Sequence, residues 1–145
     1  MAFQVRLSLT AQEHIRREDL LLIRHGWMSA SPWTYYRGAA AVAAADLGSR
    51  PNTGLTVQLC GDAHILNFGL WATPERNLFF DLRDFDETLP GPFEWDVSRL
   101  VASIVVLARD AGLKPSVADR AVAACLGAYR MRMARYSTAK QLDIW

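Results

Sequence analysis

Apolar positions along the chain fall into four stretches of helical spacing and two short runs, and each short run precedes an acidic cluster. Leu55-Thr56-Val57-Gln58-Leu59 leads into Cys60-Gly61-Asp62-Ala63-His64-Ile65-Leu66-Asn67. Leu78-Phe79-Phe80 leads into Asp81-Leu82-Arg83-Asp84-Phe85-Asp86-Glu87. Strands are predicted over 55–60 and 77–82, and together they deliver a carboxylate-rich edge to one place.

The helical stretches flank this centre. Thr10 with Glu13 forms a capping-box pattern for a helix over 11–24, whose apolar Leu20, Leu21, Leu22 and Ile23 bunch toward its end. Ser31-Pro32 reads as an N-cap followed by proline at the first helical position, opening an alanine-rich helix over 32–47 that ends at Gly48. Gly38 inside that helix costs roughly 1 kcal/mol against alanine, so a packing or binding reason is expected there. Arg37 beside it is either a phosphate or carboxylate ligand or a solvated structural arginine.

Leu89-Pro90-Gly91-Pro92 reads as a breaker. A helix over 94–111 follows, with Gly112 at its end. Its apolar residues cover nearly the whole circumference, which predicts burial on most sides. Ser116 and Asp119 are expected to cap a last helix over 116–136, with Cys125 on its core face. The fold class is therefore α+β, mostly α. The apolar end Leu142-Asp143-Ile144-Trp145 looks like a chain cut in mid-element.

Composition narrows the function classes. At 145 residues and 51% hydrophobic the chain fits a single domain with a real core. Sixteen basic residues balance fifteen acidic ones, which leaves no electrostatic reason to expect nucleic acid or an anionic membrane as partner. The only cysteines, Cys60 and Cys125, form no CxxC pair, so reduced thiols and a cytoplasmic location are expected. No signal peptide or membrane-spanning stretch is visible.

The first cluster has the parts of a phosphate-handling site. Asp62 follows a glycine at a strand end, so its carboxylate can project from a tight turn. Asn67, five positions on, can return an amide oxygen to the same place. One carboxylate orienting a hydroxyl beside an amide that binds Mg²⁺ suits phosphoryl transfer, where positioning and charge neutralisation do most of the work. Mg²⁺ takes few protein oxygens, and the second cluster supplies the carboxylates. His64 joins the candidate catalytic set with three roles open: a hydrogen bond to the loop backbone, a phosphate contact, or a metal ligand.

Gly61-Asp62-Ala63-His64-Ile65-Leu66-Asn67 resembles the Gly-Asp-x-His-x-x-Asn catalytic loop of aminoglycoside and choline phosphotransferases in the protein-kinase-like superfamily. Arg83-Asp84-Phe85-Asp86 resembles their metal-binding segment. Over nearly its whole length the chain also resembles a bacterial family catalogued as domain of unknown function 2252. The matching stretches include Arg24-His25-Gly26-Trp27-Met28, Tyr36-Arg37-Gly38-Ala39-Ala40, Cys60 to Gly69, and Asp84 to Asp96.

The kinase-like resemblance implies a kinase-like catalytic-loop region with Asp62 as base and Asn67 as Mg²⁺ ligand. It implies Asp84 as the second metal ligand, with Asp81 and Asp86 as rivals, and Asp96 as an anchor of the loop. ATP and an unidentified acceptor are the implied partners. Cys60 stands where the phosphotransferases have histidine. No GxGxxG occurs, and the only lysines are Lys114 and Lys140. The chain is therefore expected to be the N-terminal part of a longer domain, inactive alone, with the nucleotide-binding half elsewhere. The competing expectations are a degenerate kinase-like binding module and a metal-dependent phosphohydrolase.

Overall fold

A computed structural model describes residues 17–140. The chain is a mixed α+β protein, mostly helical: α1 (Glu18–Met28), α2 (Pro32–Gly38), α3 (Ala40–Gly48), β1 (Thr56–Leu59), β2 (Phe68–Ala72), β3 (Leu78–Leu82), β4 (Leu89–Pro92), α4 (Glu94–Asp110) and α5 (Pro115–Tyr136). A 3₁₀ turn, Ile65–Asn67, lies between β1 and β2. The predicted cap at Thr10 and Glu13 and the terminal Leu142–Trp145 lie outside the described residues.

α1 continues to Met28 instead of stopping at Arg24. The helix expected over 32–47 is two helices. Ser31 and Thr34 cap the first reciprocally, with Thr34 N–H donating to Ser31 Oγ at 3.2 Å and Ser31 N–H to Thr34 Oγ1 at 2.9 Å. The break falls at Ala39, whose φ of −111° and ψ of 40° leave the helical region. Tertiary contacts from α1 meet the chain at this point. Arg24 donates to the Gly38 carbonyl, and a Cβ on Gly38 would sit 2.6 Å from Met28 Cγ.

The strands form two separate two-stranded antiparallel ladders, β1 with β4 and β2 with β3. The two predicted strands are thus not partners of each other, and each pairs with a strand that the hydrophobic pattern did not signal. The breaker at 89–92 is β4, in register Thr56↔Pro92, Val57↔Gly91, Gln58↔Pro90 and Leu59↔Leu89. Its prolines are tolerated by alternation. Phe93 N–H donates to Leu55 O at 3.2 Å, so Gly91 and Leu89 also face β1 while Pro90 and Pro92 face away. β2 and β3 pair from Phe68↔Leu82 to Ala72↔Leu78. One face of this hairpin is wholly apolar, and Phe68 and Phe80 stack on it at 6.3 Å.

α4 is less enclosed than its apolar circumference suggests. Most of its side chains are half-buried, and its fully buried residues are Arg99, Ser103 and Ala108. α5 starts from Lys114 and Pro115 rather than from a Ser116 cap, and Cys125 is half-buried rather than in the core. The buried apolar set is small: Met28, Trp33, Ala39, Leu59, Cys60, Ala63, Ala108 and Ala118. Buried among them are Asp62, His64, Asn67, Arg99 and Ser103. Among the described residues, the buried centre includes the loop that carries the candidate site residues.

Candidate functional site

The loop after β1 is shaped by one backbone constraint and one helix. Gly61 has a φ of +90°, a left-handed region that disfavours side chains, and a Cβ there would run into the Glu87 carbonyl. The turn therefore needs glycine on two counts.

α4 then grips the loop with three polar residues at i, i+3 and i+7, all on one helix face. The Asp96 carboxylate accepts from two consecutive amides, Cys60 N–H at 2.8 Å and Gly61 N–H at 3.2 Å. Arg99 Nε donates to Asp62 Oδ1 at 2.7 Å. Ser103 Oγ accepts from Ile65 N–H at 2.9 Å and donates to Leu100 O at 2.6 Å. Positions 60, 61, 62 and 65 are thereby registered on a single helix.

Arg99 is almost fully buried and serves two elements. Besides Asp62, it donates through Nη2 to Tyr36 O at 2.7 Å, and its guanidinium lies 3.9 Å from the Tyr36 ring centroid. Tyr36 OH donates to Arg99 O at 2.7 Å. A buried carboxylate–guanidinium pair needs further hydrogen bonds to offset desolvation, and the bond from Nη2 to Tyr36 O ties α2 to the loop.

His64 is buried, with its ring edge against Trp33 at 6.0 Å between centroids. Its Nε2 faces Asp62 Oδ2 at 3.7 Å, and its Nδ1 is buried without a hydrogen-bond partner. Burial holds its pKa below the ordinary histidine value; Asp62 opposes that shift, and Arg37 and Arg99 add to it. The Cys60 thiol is pushed up to about 12, first by burial and then by Asp96, which disfavours the nucleophilic thiolate.

Asn67 closes the loop. Its Nδ2 donates to Asp62 O at 2.6 Å, which points the amide oxygen away from that carbonyl. Asp62 O also accepts from His64 N–H at 2.7 Å. On the other side Arg83 N–H donates to Asn67 O at 2.7 Å, so the hairpin β2–β3 returns the chain to the loop one residue before Asp84.

Asp62, His64 and Asn67 are therefore brought together in the interior, while Asp81, Asp84 and Asp86 are exposed. Asp81 sits within the hairpin opposite Gly69 and accepts from Leu82 N–H at 2.7 Å. Asp84 Oδ1 accepts from Asp86 N–H at 3.1 Å, a local turn that leaves its second oxygen outside that bond. Among the described residues no three His, Cys, Asp or Glu side chains converge on one metal position. Asn67 and one aspartate remain a sufficient protein contribution for Mg²⁺, which keeps several waters.

Arg99 and Ser103 were not read from the sequence. Their signal was the spacing of Asp96, Arg99 and Ser103, which places all three on one helix face.

These features define a mostly helical α+β protein whose central loop carries an ion-paired aspartate. Residues 16–145 match the model of the family described as an uncharacterized protein conserved in bacteria, DUF2252, and the chain belongs to that family. Comparison with curated proteins returned no match, and comparison with solved structures returned none. No helix among the described residues is long and apolar enough to cross a membrane.

Proposed function

We propose that the chain carries the catalytic-loop half of a Mg²⁺- and ATP-dependent phosphotransferase of kinase-like type. The observation that supports it most is the convergence at Asn67: its side chain turns back on Asp62, and its carbonyl holds Arg83, the residue before Asp84. These bonds support the reading by drawing together the chain segments that carry the base candidate, the amide and Asp84.

In this reading Asp62 Oδ1 is held by Arg99, and Oδ2 takes the hydrogen bond of an acceptor hydroxyl. Positioning of this kind is the main protein contribution to phosphoryl transfer. Asn67 through its amide oxygen and Asp84 through its second carboxylate oxygen would hold Mg²⁺, with Asp81 and Asp86 as rivals to Asp84. The ion, when bound, neutralises phosphoryl charge. His64 orients the loop beside Asp62. The nucleotide-binding glycine loop and lysine lie in another part of a longer protein.

A non-catalytic binding module is the second reading. It is favoured by the Arg99 pair, which occupies one oxygen of the candidate base. A binuclear phosphohydrolase needs several converging His and Asp ligands, and the described residues provide no such group.

The test is Mg²⁺-dependent ATP binding and phosphoryl transfer by the longer family protein, with Asp62→Asn and Asp84→Asn. Transfer lowered by about 100-fold or more in Asp62→Asn supports the proposal. Nucleotide binding without turnover supports the binding module. Mn²⁺-dependent phosphatase activity without nucleotide supports the hydrolase.

A further inference from the structure

The end of α2 is held from two sides. Arg99 donates to Tyr36 O at 2.7 Å, and Arg24 donates to Gly38 O. The carbonyls on either side of Arg37 are thus each capped by an arginine from a different helix. Gly38 cannot move toward α1, because Met28 fills the space beside its Cα. The backbone of Arg37 is fixed, yet its side chain is exposed, and among the described residues no hydrogen bond or ion pair engages its guanidinium.

Arg37 also stands on the helix face that meets the loop. Trp33, four residues earlier on the same helix face, packs its ring against His64. Arg37 lies one turn further along that face, near enough to add to the displacement of the His64 pKa. Two carboxylates of the loop and α4 are already engaged: Asp62 by Arg99, and Asp96 by two amides. Among the described residues Arg37 forms no ion pair. A solvated surface arginine needs no such clamped backbone, whereas a planar guanidinium on a rigid mount suits bidentate recognition of an oxyanion.

We propose that Arg37 is the oxyanion contact of this site and binds a phosphoryl group, of the nucleotide or of the acceptor, beside Asp62. Naming the anion a phosphoryl group rests on the phosphotransferase reading; the anion contact itself does not.

The test is calorimetric titration of the protein with inorganic pyrophosphate, with and without Mg²⁺. The wild type is expected to bind, Arg37→Ala to lose about tenfold or more in affinity, and Arg37→Lys to recover part of it. Arg50→Ala, an exposed loop arginine, is expected to match wild type. Unchanged circular dichroism and melting temperature in Arg37→Ala establish that the fold is intact. Equal affinity in wild type and Arg37→Ala, or no pyrophosphate binding by wild type, overturns the proposal.

No turnover is needed, so Arg37-dependent binding in a protein that never transfers phosphate sinks the phosphotransferase reading alone. Displacement of pyrophosphate by ATP assigns the contact to the donor. Displacement by glycerol 3-phosphate with ATP already bound assigns it to the acceptor.

Discussion

Arg99 Nε and Asp62 Oδ1 lie 2.7 Å apart across 37 residues of sequence, and both side chains are buried. Removing one partner leaves the other charge in the interior without compensation, a loss of about 3–5 kcal/mol. Arg99→Met is expected to destabilise by that order. Asp62→Asn with Arg99→Met together should cost clearly less than the sum of the singles. Urea denaturation of the four proteins measures the coupling, and strict additivity would show that the pair is not an energetic unit.

Asp96 replaces two missing loop partners at once. Charge-assisted hydrogen bonds contribute about 1.5–3 kcal/mol each. Asp96→Ala is expected to lose about 2–4 kcal/mol and to speed amide exchange at Cys60 and Gly61 specifically. Asp96→Asn, which keeps one acceptor oxygen, should retain part of the protection. Hydrogen exchange resolved at these two amides decides it.

The site was legible in the sequence where the chemistry is local and hidden where it is long-range. Asp96 entered only through the kinase-like resemblance, whereas Asp62, His64 and Asn67 share one short motif after an apolar run, so their grouping could be read from spacing. Arg99 could not. An arginine in the largely apolar middle of a helix looks like a solvated position until the loop that it meets is placed against it. The same holds for Ala39: Gly38 signalled a packing reason at this point but not a break, and the residues that meet it, Arg24 and Met28, come from another helix. The strand at 89–92 was hidden by its prolines, which forbid a strand only where an N–H is needed.

The depressed pKa of His64 has a definite sign in stability. The folded state holds its pKa below that of the unfolded chain, so the unfolded state binds more protons once pH drops below about 6.5. Stability from this group is fully present above that value and is lost as pH falls from there toward the folded pKa. Melting temperature against pH should decline below about 6.5 in wild type and flatten in His64→Gln. Parallel curves would assign the decline to other groups.

With its thiol pushed up to about 12 and its side chain buried, Cys60 is expected to resist alkylation at neutral pH. Cys125, half-buried, should react first. Mass spectrometry after a timed iodoacetamide pulse, native and in urea, gives the order. Faster labelling of Cys60 than of Cys125 in the native protein would contradict this picture of the loop.

Gly61→Ala meets both a left-handed backbone and the Glu87 carbonyl. The conformational part alone costs about 1–2 kcal/mol, and the collision adds to it. The substitution is expected to lower the urea midpoint further than Gly26→Ala, whose Cβ would find open space.

The two prolines of β4 have an effect beyond permitting one ladder. Their side of the strand presents the carbonyls of Pro90 and Pro92 and no amide hydrogen, so it is an acceptor-only border. A further strand laid there would have to supply every donor and would leave its own acceptors empty. Growth of this ladder is therefore directed to the opposite flank of β1.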